Sequence, residues 1–342
     1  MREEGTVPIV SSSGVSGYHS SFKVKAPGVV TGRYGTLGEV FYITQDFWPL
    51  NTTLWVKDFK GNYPRFISYL LQTLSFARQN AAGAVPGVNR NALHMLPVRT
   101  PTLAIQERIA SILSAYDDLI ENNSRRIKIL EEMAQMLYRE WFVNFRFPGH
   151  EKVRMVESKL GPVPEGWTAT ALREVMQFEY GKALKAEDRA GGDVAVYGSS
   201  GVVGFHDRKL ADGPGIIVGR KGNVGSVFFC EPDFWVIDTA YYVRSSLPLQ
   251  FVYFNLRTQN FLNNDAAVPG LNRNQALSLP VVIPDPRILR EFERIAEPMF
   301  NLKFCLERAK ANLRTTRDLL LPKLISGEIP VEAAAERMEQ TA

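Results

Sequence analysis

Cysteine and histidine are scarce in this chain, and long apolar runs do not occur in it. The 342 residues include 2 cysteines and 4 histidines. Cys230 and Cys305 are far apart, and neither has a second cysteine or a histidine near it at metal-ligand spacing. No apolar run reaches the roughly 18 residues that a membrane span needs, and the first residues lack the apolar region of a signal peptide. We therefore expect a reduced, cytoplasmic protein with no disulfide framework, no metal site and no membrane span.

A large excess of charge of one sign is also lacking. Lys and Arg number 40 and Asp and Glu 36, so the net charge is +4 and the pI is near 8.9. The chain is 45% hydrophobic and 22% charged, which is typical of a soluble protein with more than one core. This balance allows an anionic partner but does not require one.

The chain contains an internal repeat. The block SSSGVSGYH (residues 11–19) recurs 187 residues later as GSSGVVGFH, and GVVTGRYGTLGEVFY recurs at the same offset as GIIVGRKGNVGSVFF. Further on, AVPGVNRN (residues 84–91) recurs as AVPGLNRN (residues 267–274), now 183 residues later. A helical segment follows each copy, with QERI echoed by FERI at an offset of 186. The order is therefore globular domain, helix, globular domain, helix.

Each copy combines strands with one amphipathic helix. Short apolar runs at residues 28–30, 40–43 and 53–56 lie between Gly, Pro, Asp and Asn clusters, as strands do. Residues 66–78 and 251–262 have apolar residues at spacings of three and four, which predicts helices. The repeated Asp-Phe-Trp is interpreted as core packing next to a turn.

In the segments after the two copies, apolar residues recur at alternating steps of three and four, as they do in long paired helices. Residues 103–145 would form a helix roughly 65 Å long, and its apolar periodicity shifts by one residue near Asn123. The second segment has a coiled-coil seam from Phe292 to Leu320. Pro298 should kink this helix or mark its start, and Pro322 should end the seam before a stop near Gly327.

A long helix cannot bury its apolar stripe alone, and the obvious partner is the other long helix. We therefore predict an α/β fold in which two similar domains, residues 1–100 and 148–286, are joined by two long antiparallel coiled-coil helices with pseudo-two-fold symmetry. The helices occupy residues 101–147 and 287–342, the latter including a tail. Residues 161–184 precede only the second copy, so we expect the first domain to lack an initial strand and to expose a sheet edge.

The repeated loops carry side chains suited to DNA. Arg33, Arg220 and Lys221 lie among glycines, which permit close approach, and arginine suits bidentate contact with guanine or phosphate. A solvated Gly-rich hairpin is the alternative, while the absence of GxGxxG spacing argues against dinucleotide binding. Asn89 and Asn272 lie in Pro-Gly turns and could either contact bases or cap the following short helix.

The candidate DNA-contacting residues all lie in repeated blocks and have polar or basic side chains. They are Ser12, His19, Arg33, Tyr34, Asn89, Arg90, Asn91, Ser199, His206, Arg220, Lys221, Asn223, Asn272, Arg273 and Asn274. His19 and His206 have no carboxylate or cysteine companion in their motifs, so neither a catalytic triad nor a metal site is predicted. A polar loop role is the main alternative for both histidines.

Taken together, these blocks resemble the specificity subunit of type I restriction-modification systems. The resemblance rests on PEGWTATALREV (residues 164–175), GRKGNVGSV, VPGLNRNQALSLPVVIP, the QERI helix start and RDLLLPKLISGEI (residues 317–329), and it covers essentially the whole chain. It implies two target-recognition domains that each read half of a bipartite DNA sequence, with the coiled coil setting the spacer between the halves.

The resemblance also implies partners. Methylation and cleavage would belong to separate methyltransferase and restriction subunits, which would use S-adenosylmethionine and ATP with magnesium, respectively. The chain itself would be a subunit without catalysis and without a cofactor of its own. An adaptor with paired ligand-binding α/β units, or a hydrolase with an unrecognised site, is the alternative.

Overall fold

A computed structural model describes residues 4–34, 37–74, 87–261 and 270–333. The chain divides into two compact units. Unit 1 comprises residues 1–124 and 308–342, and unit 2 comprises residues 125–307. Each unit therefore contains one copy of the repeat and a part of each long helix.

Among its described residues, unit 1 has six short strands and two short helices before the first long helix. The elements are β1 Val7–Ser11, β2 Gly14–His19, β3 Gly28–Gly32, β4 Val40–Ile43, β5 Trp48–Pro49, β6 Thr53–Trp55, α1 Pro64–Thr73, α2 Arg90–His94 and α3 Leu103–Tyr138. The strands form two three-stranded sheets, in the orders β2-β1-β5 and β4-β3-β6.

Unit 2 repeats this plan with additions. The elements are β7 Met155–Ser158, β8 Gly161–Pro164, β9 Thr168–Ala171, β10 Met176–Tyr180, β11 Val194–Gly198, β12 Gly201–His206, β13 Gly215–Gly219, β14 Val227–Cys230, β15 Phe234–Val236, β16 Ala240–Ser245, α4 Leu249–Thr258, α5 Arg273–Leu277, β17 Pro280–Ile283 and α6 Pro286–Ser326. The sheet orders are β12-β11-β15, β10-β16-β13-β14, β17-β9 and β7-β8.

The duplication extends to the strand register. β1 pairs with β2 so that Val7 faces His19, and β11 pairs with β12 so that Val194 faces His206, each with an irregularity at the corresponding step. Parallel pairing then joins β1 to β5 and β11 to β15. The predicted mixed α/β repeat is confirmed.

A difference between the units lies at one sheet edge. In unit 2, β10 covers β16, whereas β6, the equivalent of β16, ends its sheet among the described residues of unit 1. β10 belongs to the segment that precedes only the second copy. The expected edge is therefore present at β6.

The Asp-Phe-Trp blocks build the centre of each small core, as predicted. Phe47 and Phe234 are 0% and 2% exposed. A Cβ on Gly28 or Gly215 would lie within about 2.5 Å of these rings, so glycine is required where strand and ring meet. The carboxylates of Asp46 and Asp233 accept hydrogen bonds from backbone N–H groups in the turns beside them.

The amphipathic helices are shorter than predicted. α1 begins at Pro64 and ends at Thr73, because Leu74 is extended, and residues 75–78 of the predicted helix lie outside the described residues. α4 likewise ends at Thr258, where the extended Gln259 follows.

The first long helix is confirmed. α3 runs to Tyr138 and continues as a π-helical turn, Arg139–Val143. The helical path ends at Asn144, close to the predicted Phe145, whose φ of 57° leaves the helical region.

Pro298 does not mark the start of the second long helix, and Pro322 does not end its seam, so these two expectations are wrong. α6 is continuous through Pro298 and Pro322 to Ser326. An interior proline costs about 3 kcal/mol, but the neighbours Ala296, Phe300 and Leu324 are all buried, and their packing holds the helix across the missing hydrogen bonds. The predicted stop at Gly327 is confirmed, with φ at 77°.

The two long helices pair within each unit. In unit 1, Ile109, Leu113 and Tyr116 share a buried cluster with Leu320 and Leu324. In unit 2, the cluster contains Tyr138 and Phe142 with Phe292 and the α4 residue Phe251; the Phe142 and Phe292 rings are 4.9 Å apart. Residues later in α3 contact residues earlier in α6, so the predicted antiparallel direction is confirmed in each unit.

Phe234→Ala should destabilise unit 2 by roughly 3–5 kcal/mol, because it removes a fully buried ring and leaves a cavity. Urea unfolding followed by circular dichroism measures this loss. The matched control is Phe205→Ala, since Phe205 lies on β12 and is 50% exposed; its effect should stay within about 0.5 kcal/mol. Equal effects of the two substitutions would contradict the assignment of Phe234 to the core.

Candidate functional site

Two repeated loops that are distant in sequence meet in each unit. In unit 1, Tyr34 forms a β-bridge with Gly87, and the N–H of Val88 donates to the carbonyl of Arg33 at 2.9 Å. In unit 2, Lys221 bridges to Gly270, and the N–H of Leu271 donates to the carbonyl of Arg220 at 2.8 Å. The Gly-rich loop and the Asn-Arg-Asn turn therefore form one surface, which we call the paired loops.

A threonine carbonyl anchors the paired loops to the sheet. The N–H groups of Arg33 and Tyr34 both donate to the carbonyl of Thr52, at 2.8 and 3.4 Å. Those of Arg220 and Lys221 donate to the equivalent Thr239, at 2.8 and 3.0 Å. The same backbone scaffold thus presents different side chains in the two units.

In unit 2, Ser199 lies beside the paired loops and is bonded to them. The N–H of Ser199 donates to the hydroxyl of Thr239 at 3.4 Å, and its carbonyl accepts from the hydroxyl of Ser226 at 2.5 Å. Ser226 also donates to the carbonyl of Asn223. The turn between β11 and β12 is thereby joined to the Gly-rich loop. Ser12 lies in the corresponding turn between β1 and β2.

Tyr180 organises the arginines of unit 2. The guanidinium carbons of Arg220 and Arg273 lie 5.0 and 4.9 Å from the centre of its ring, distances at which cation–π attraction is effective. Tyr180 remains 47% exposed, and Arg220 also donates to the carbonyl of Asp238 at 3.2 Å. One aromatic ring therefore holds two cations at the surface.

Tyr180 was not a candidate from sequence. It ends β10, in the segment without a counterpart in the first copy, so the duplication could not mark it. A weak signal existed, since a tyrosine precedes Gly181 at the boundary of the repeat.

Tyr241 supports this arrangement from below. It is 1% exposed, its ring lies 5.2 Å from that of Tyr180, and its hydroxyl donates to the carbonyl of Leu271 at 3.0 Å. Burial and the neighbouring Tyr180 raise the pKa of Tyr241, although Arg220 acts in the opposite direction. The hydroxyl therefore stays a donor at neutral pH and ties the Asn-Arg-Asn turn to β16.

Asn89 and Asn272 are helix caps. The side-chain oxygen of Asn89 accepts from the N–H of Asn91 at 2.9 Å and from that of Ala92 at 3.4 Å. That of Asn272 accepts from the N–H of Gln275 at 3.2 Å. The capping alternative is thus observed in both copies, while the side chains of Arg90, Asn91 and Asn274 lie in exposed residues beside the caps.

The remaining basic candidates are accessible. Arg33 is exposed, with its guanidinium 4.8 Å from the ring of Tyr34. Lys221 is exposed and lies 3.6 Å from the carboxylate of Asp238, and Asn223 is exposed in the same loop.

The histidines lie away from the paired loops. His206 is at the opposite end of its hairpin from Ser199, is 6% exposed, packs edge-on against Trp235 and accepts a hydrogen bond from Ala190. The ring of His19 is half-buried 4.7 Å from that of Trp48 and accepts from the N–H of Ser21 at 2.9 Å. Both rings have local structural partners.

Within the described ranges, no group of three or more His, Cys, Asp or Glu side chains could hold a metal ion. None of the helices formed by these residues is long and apolar enough to cross a membrane.

The chain is similar to known specificity proteins. Residues 1–132 match the family described as type I restriction modification DNA specificity domain. The type I restriction enzyme MjaIX specificity subunit of Methanocaldococcus jannaschii is 22% identical over 80% of this chain and 70% of its own length. The HindI specificity subunit of Haemophilus influenzae is 21% identical over 78% of this chain and 77% of its own length. The crystal structure of a type I restriction-modification S subunit from M. genitalium has the same fold, with a TM-score of 0.65 and 19% identity over 94% of this chain and 89% of that one.

Asn272→Ala should lower the stability of the chain by about 1 kcal/mol, because the cap of α5 is lost. Urea unfolding measures the change. Asn272→Asp is the control, since aspartate caps about as well and should retain wild-type stability. An unchanged stability of the alanine variant would show that the cap contributes nothing.

Proposed function

We propose that this chain is a specificity subunit of a type I restriction-modification system and that it reads double-stranded DNA with the paired loops of each unit. The observation that carries the proposal is that the two repeated loops meet in both units and expose arginine and asparagine on one scaffold. Arginine and asparagine are the side chains that pair with guanine and adenine edges in the major groove.

In unit 2, Arg220 and Arg273 are the proposed principal contacts. Their guanidinium groups are already oriented on Tyr180, so less side-chain entropy is lost when DNA binds. Lys221, Asn223, Asn274 and Ser199 would contact phosphates or bases around them, since phosphate contacts fix the register and base contacts select the sequence.

In unit 1, Arg33 and Tyr34 with Arg90 and Asn91 would read the other half of a bipartite target, and Ser12 would assist. Tyr34 stands where unit 2 has Lys221, so the two surfaces differ in charge on the same backbone. Different half-sites are the expected consequence. Asn89 and Asn272 would support the turns. His19 and His206 lie away from the paired loops and are left out of the proposed contact surface.

Recognition would be this chain's own contribution to a larger complex. Methyl transfer and DNA cleavage would reside in separate modification and restriction subunits, which would use S-adenosylmethionine and ATP with magnesium, respectively. The relatives are named specificity subunits, which supports this division of labour.

A docking surface for the modification subunit is proposed on α3. Ile129, Met133 and Met136 are 52%, 43% and 59% exposed and lie at spacings of four and three, on one helical face. The opposite face of the same segment, with Ala134 and Tyr138, packs into the core of unit 2. An exposed apolar stripe on a helix that is already anchored favours a protein partner.

Arg220→Ala combined with Lys221→Ala should weaken DNA binding by roughly 1–3 kcal/mol per lost base contact and flatten the dependence of affinity on salt, because fewer counterions are released. The measurement is a salt titration of affinity with the duplex that the assembled complex methylates. Lys185→Ala with Arg208→Ala is the matched control. It also removes one lysine and one arginine of unit 2, but from positions outside the paired loops, which are 76% and 79% exposed.

Single arginine substitutions identify the half-site that each unit reads. In cells that express the chain with a modification subunit, Arg220→Ala should alter methylation at one half of a split motif and Arg33→Ala at the other.

In the salt titration, equal affinities of the Arg220→Ala, Lys221→Ala variant and its control would remove the loop from the site. An absence of salt-sensitive DNA binding by the wild-type chain would favour the adaptor alternative.

Met133→Glu should weaken binding of the modification subunit at least roughly tenfold, because a charge would be buried against an apolar partner surface. Met155→Glu is the control, since Met155 is 49% exposed on β7. Surface plasmon resonance of each variant with the purified modification subunit gives the affinities. Wild-type affinity of Met133→Glu would place the partner elsewhere.

A further inference from the structure

An ion pair joins the two long helices in each unit. In unit 1, Nη1 of Arg317 lies 2.7 Å from Oδ1 of Asp117, and the two side chains are 25% and 27% exposed. In unit 2, Nζ of Lys303 lies 2.8 Å from Oε1 of Glu131, and the two side chains are 12% and 49% exposed. Both pairs lie at the margin of the apolar seam.

The repeat makes these two ion pairs equivalent, but with their charges exchanged. The offset of 186 that aligns QERI with FERI places Asp117 on Lys303 and Glu131 on Arg317. α3 therefore carries the acid of both pairs and α6 carries the base of both pairs. Repetition by itself would have put the same sign at equivalent positions.

Part of the apolar seam is alike in the two helices. At the same offset, Ile120 corresponds to Leu306, and both are buried. Another part differs, since the buried Phe292 of α6 corresponds to the buried Gln106 of α3. The matching part would also form in a pair of like helices, so it does not by itself select the partner.

We propose that the exchanged charges favour pairing of α3 with α6 over pairing of either helix with its own copy in a second chain. In a pair of two α3 helices in the same register, Asp117 would face Glu131 of the second copy. In a pair of two α6 helices, Lys303 would face Arg317 of the second copy. Each like pair would hold two such repulsive contacts by symmetry, whereas the unlike pair holds two attractive ones.

Partial burial strengthens this discrimination. Exposed ion pairs contribute little, and screening by solvent is the reason. Burial alone would lower the pKa of Lys303, yet Glu131 and Glu307 raise it above its ordinary value, so the ammonium stays charged at the seam. Charges beside coiled-coil seams set partner choice more than stability, because the wrong pairing places like charges together.

The test exchanges the charges of unit 2 only, with Glu131→Lys and Lys303→Glu in the full chain. Unit 2 is chosen because Asp117 in unit 1 also bonds to Arg65 and Tyr69. The exchange preserves an attractive unlike pair in both units, but it leaves one acid and one base on each helix. Like pairs then become attractive too.

Like pairing is detected by a crosslink. Ser124 lies midway between Asp117 and Glu131, so Ser124→Cys would place two thiols across an α3–α3 interface. Cys305, which is exposed, is replaced by serine in every variant. The proteins are unfolded, refolded together at high concentration and treated with a bismaleimide, and crosslinked dimer is quantified.

The charge exchange should increase crosslinked dimer roughly tenfold over the wild-type charges, since an attractive contact replaces a repulsive one at partly buried positions. The neutral variant Glu131→Gln with Lys303→Gln leaves Asp117 unchanged and removes the new attraction between like helices, so its dimer should lie between the wild-type amount and that of the exchange. Thermal melts confirm that each variant folds. Equal dimer in the wild type and the unit 2 exchange, or as much dimer in the neutral variant as in the exchange, would overturn the proposal, which does not depend on what the paired loops bind.

Discussion

The seam between the two long helices is the contact on which each unit depends. Neither helix could bury its apolar stripe alone, and each unit takes one helical segment from early and one from late in the chain. In unit 2 the aromatic side chains of both segments pack on α4: Tyr138 of α3 and Phe142 of the π-helical turn after it both contact Phe251, and Phe292 of α6 packs on Phe142. The core of a unit is therefore complete only when the second helix has returned to it.

This dependence explains why α6 tolerates proline. Pro298 removes one hydrogen bond in a helix whose neighbouring residues Ala296 and Phe300 lie in the core. Leaving the helical path there would expose both, and the apolar area lost would outweigh one backbone hydrogen bond. A strong local signal is overridden by packing from residues elsewhere in the chain.

The groups that hold the paired loops in place differ from the side chains that these loops expose. Backbone contacts that repeat in both units hold the paired loops, through Thr52 and Thr239 and through the bridges to Gly87 and Gly270. The side chains displayed on these loops differ between the units. Such a scaffold allows the exposed residues to change without cost to the fold, because the backbone amides and carbonyls that carry it are common to all residue types.

The sequence by itself determined the duplication, the strands of each copy, the Asp-Phe-Trp cores and the antiparallel helices, because each rests on local periodicity or on direct repetition. It also marked most of the exposed loop residues, although it left open whether Asn89 and Asn272 are caps. Only the tertiary structure decided that the two loops meet, that Tyr180 orients two arginines, that His206 is buried and that the interhelical charges are exchanged between the units. These features depend on contacts between segments far apart in the chain, and no local pattern records which distant side chain will lie opposite.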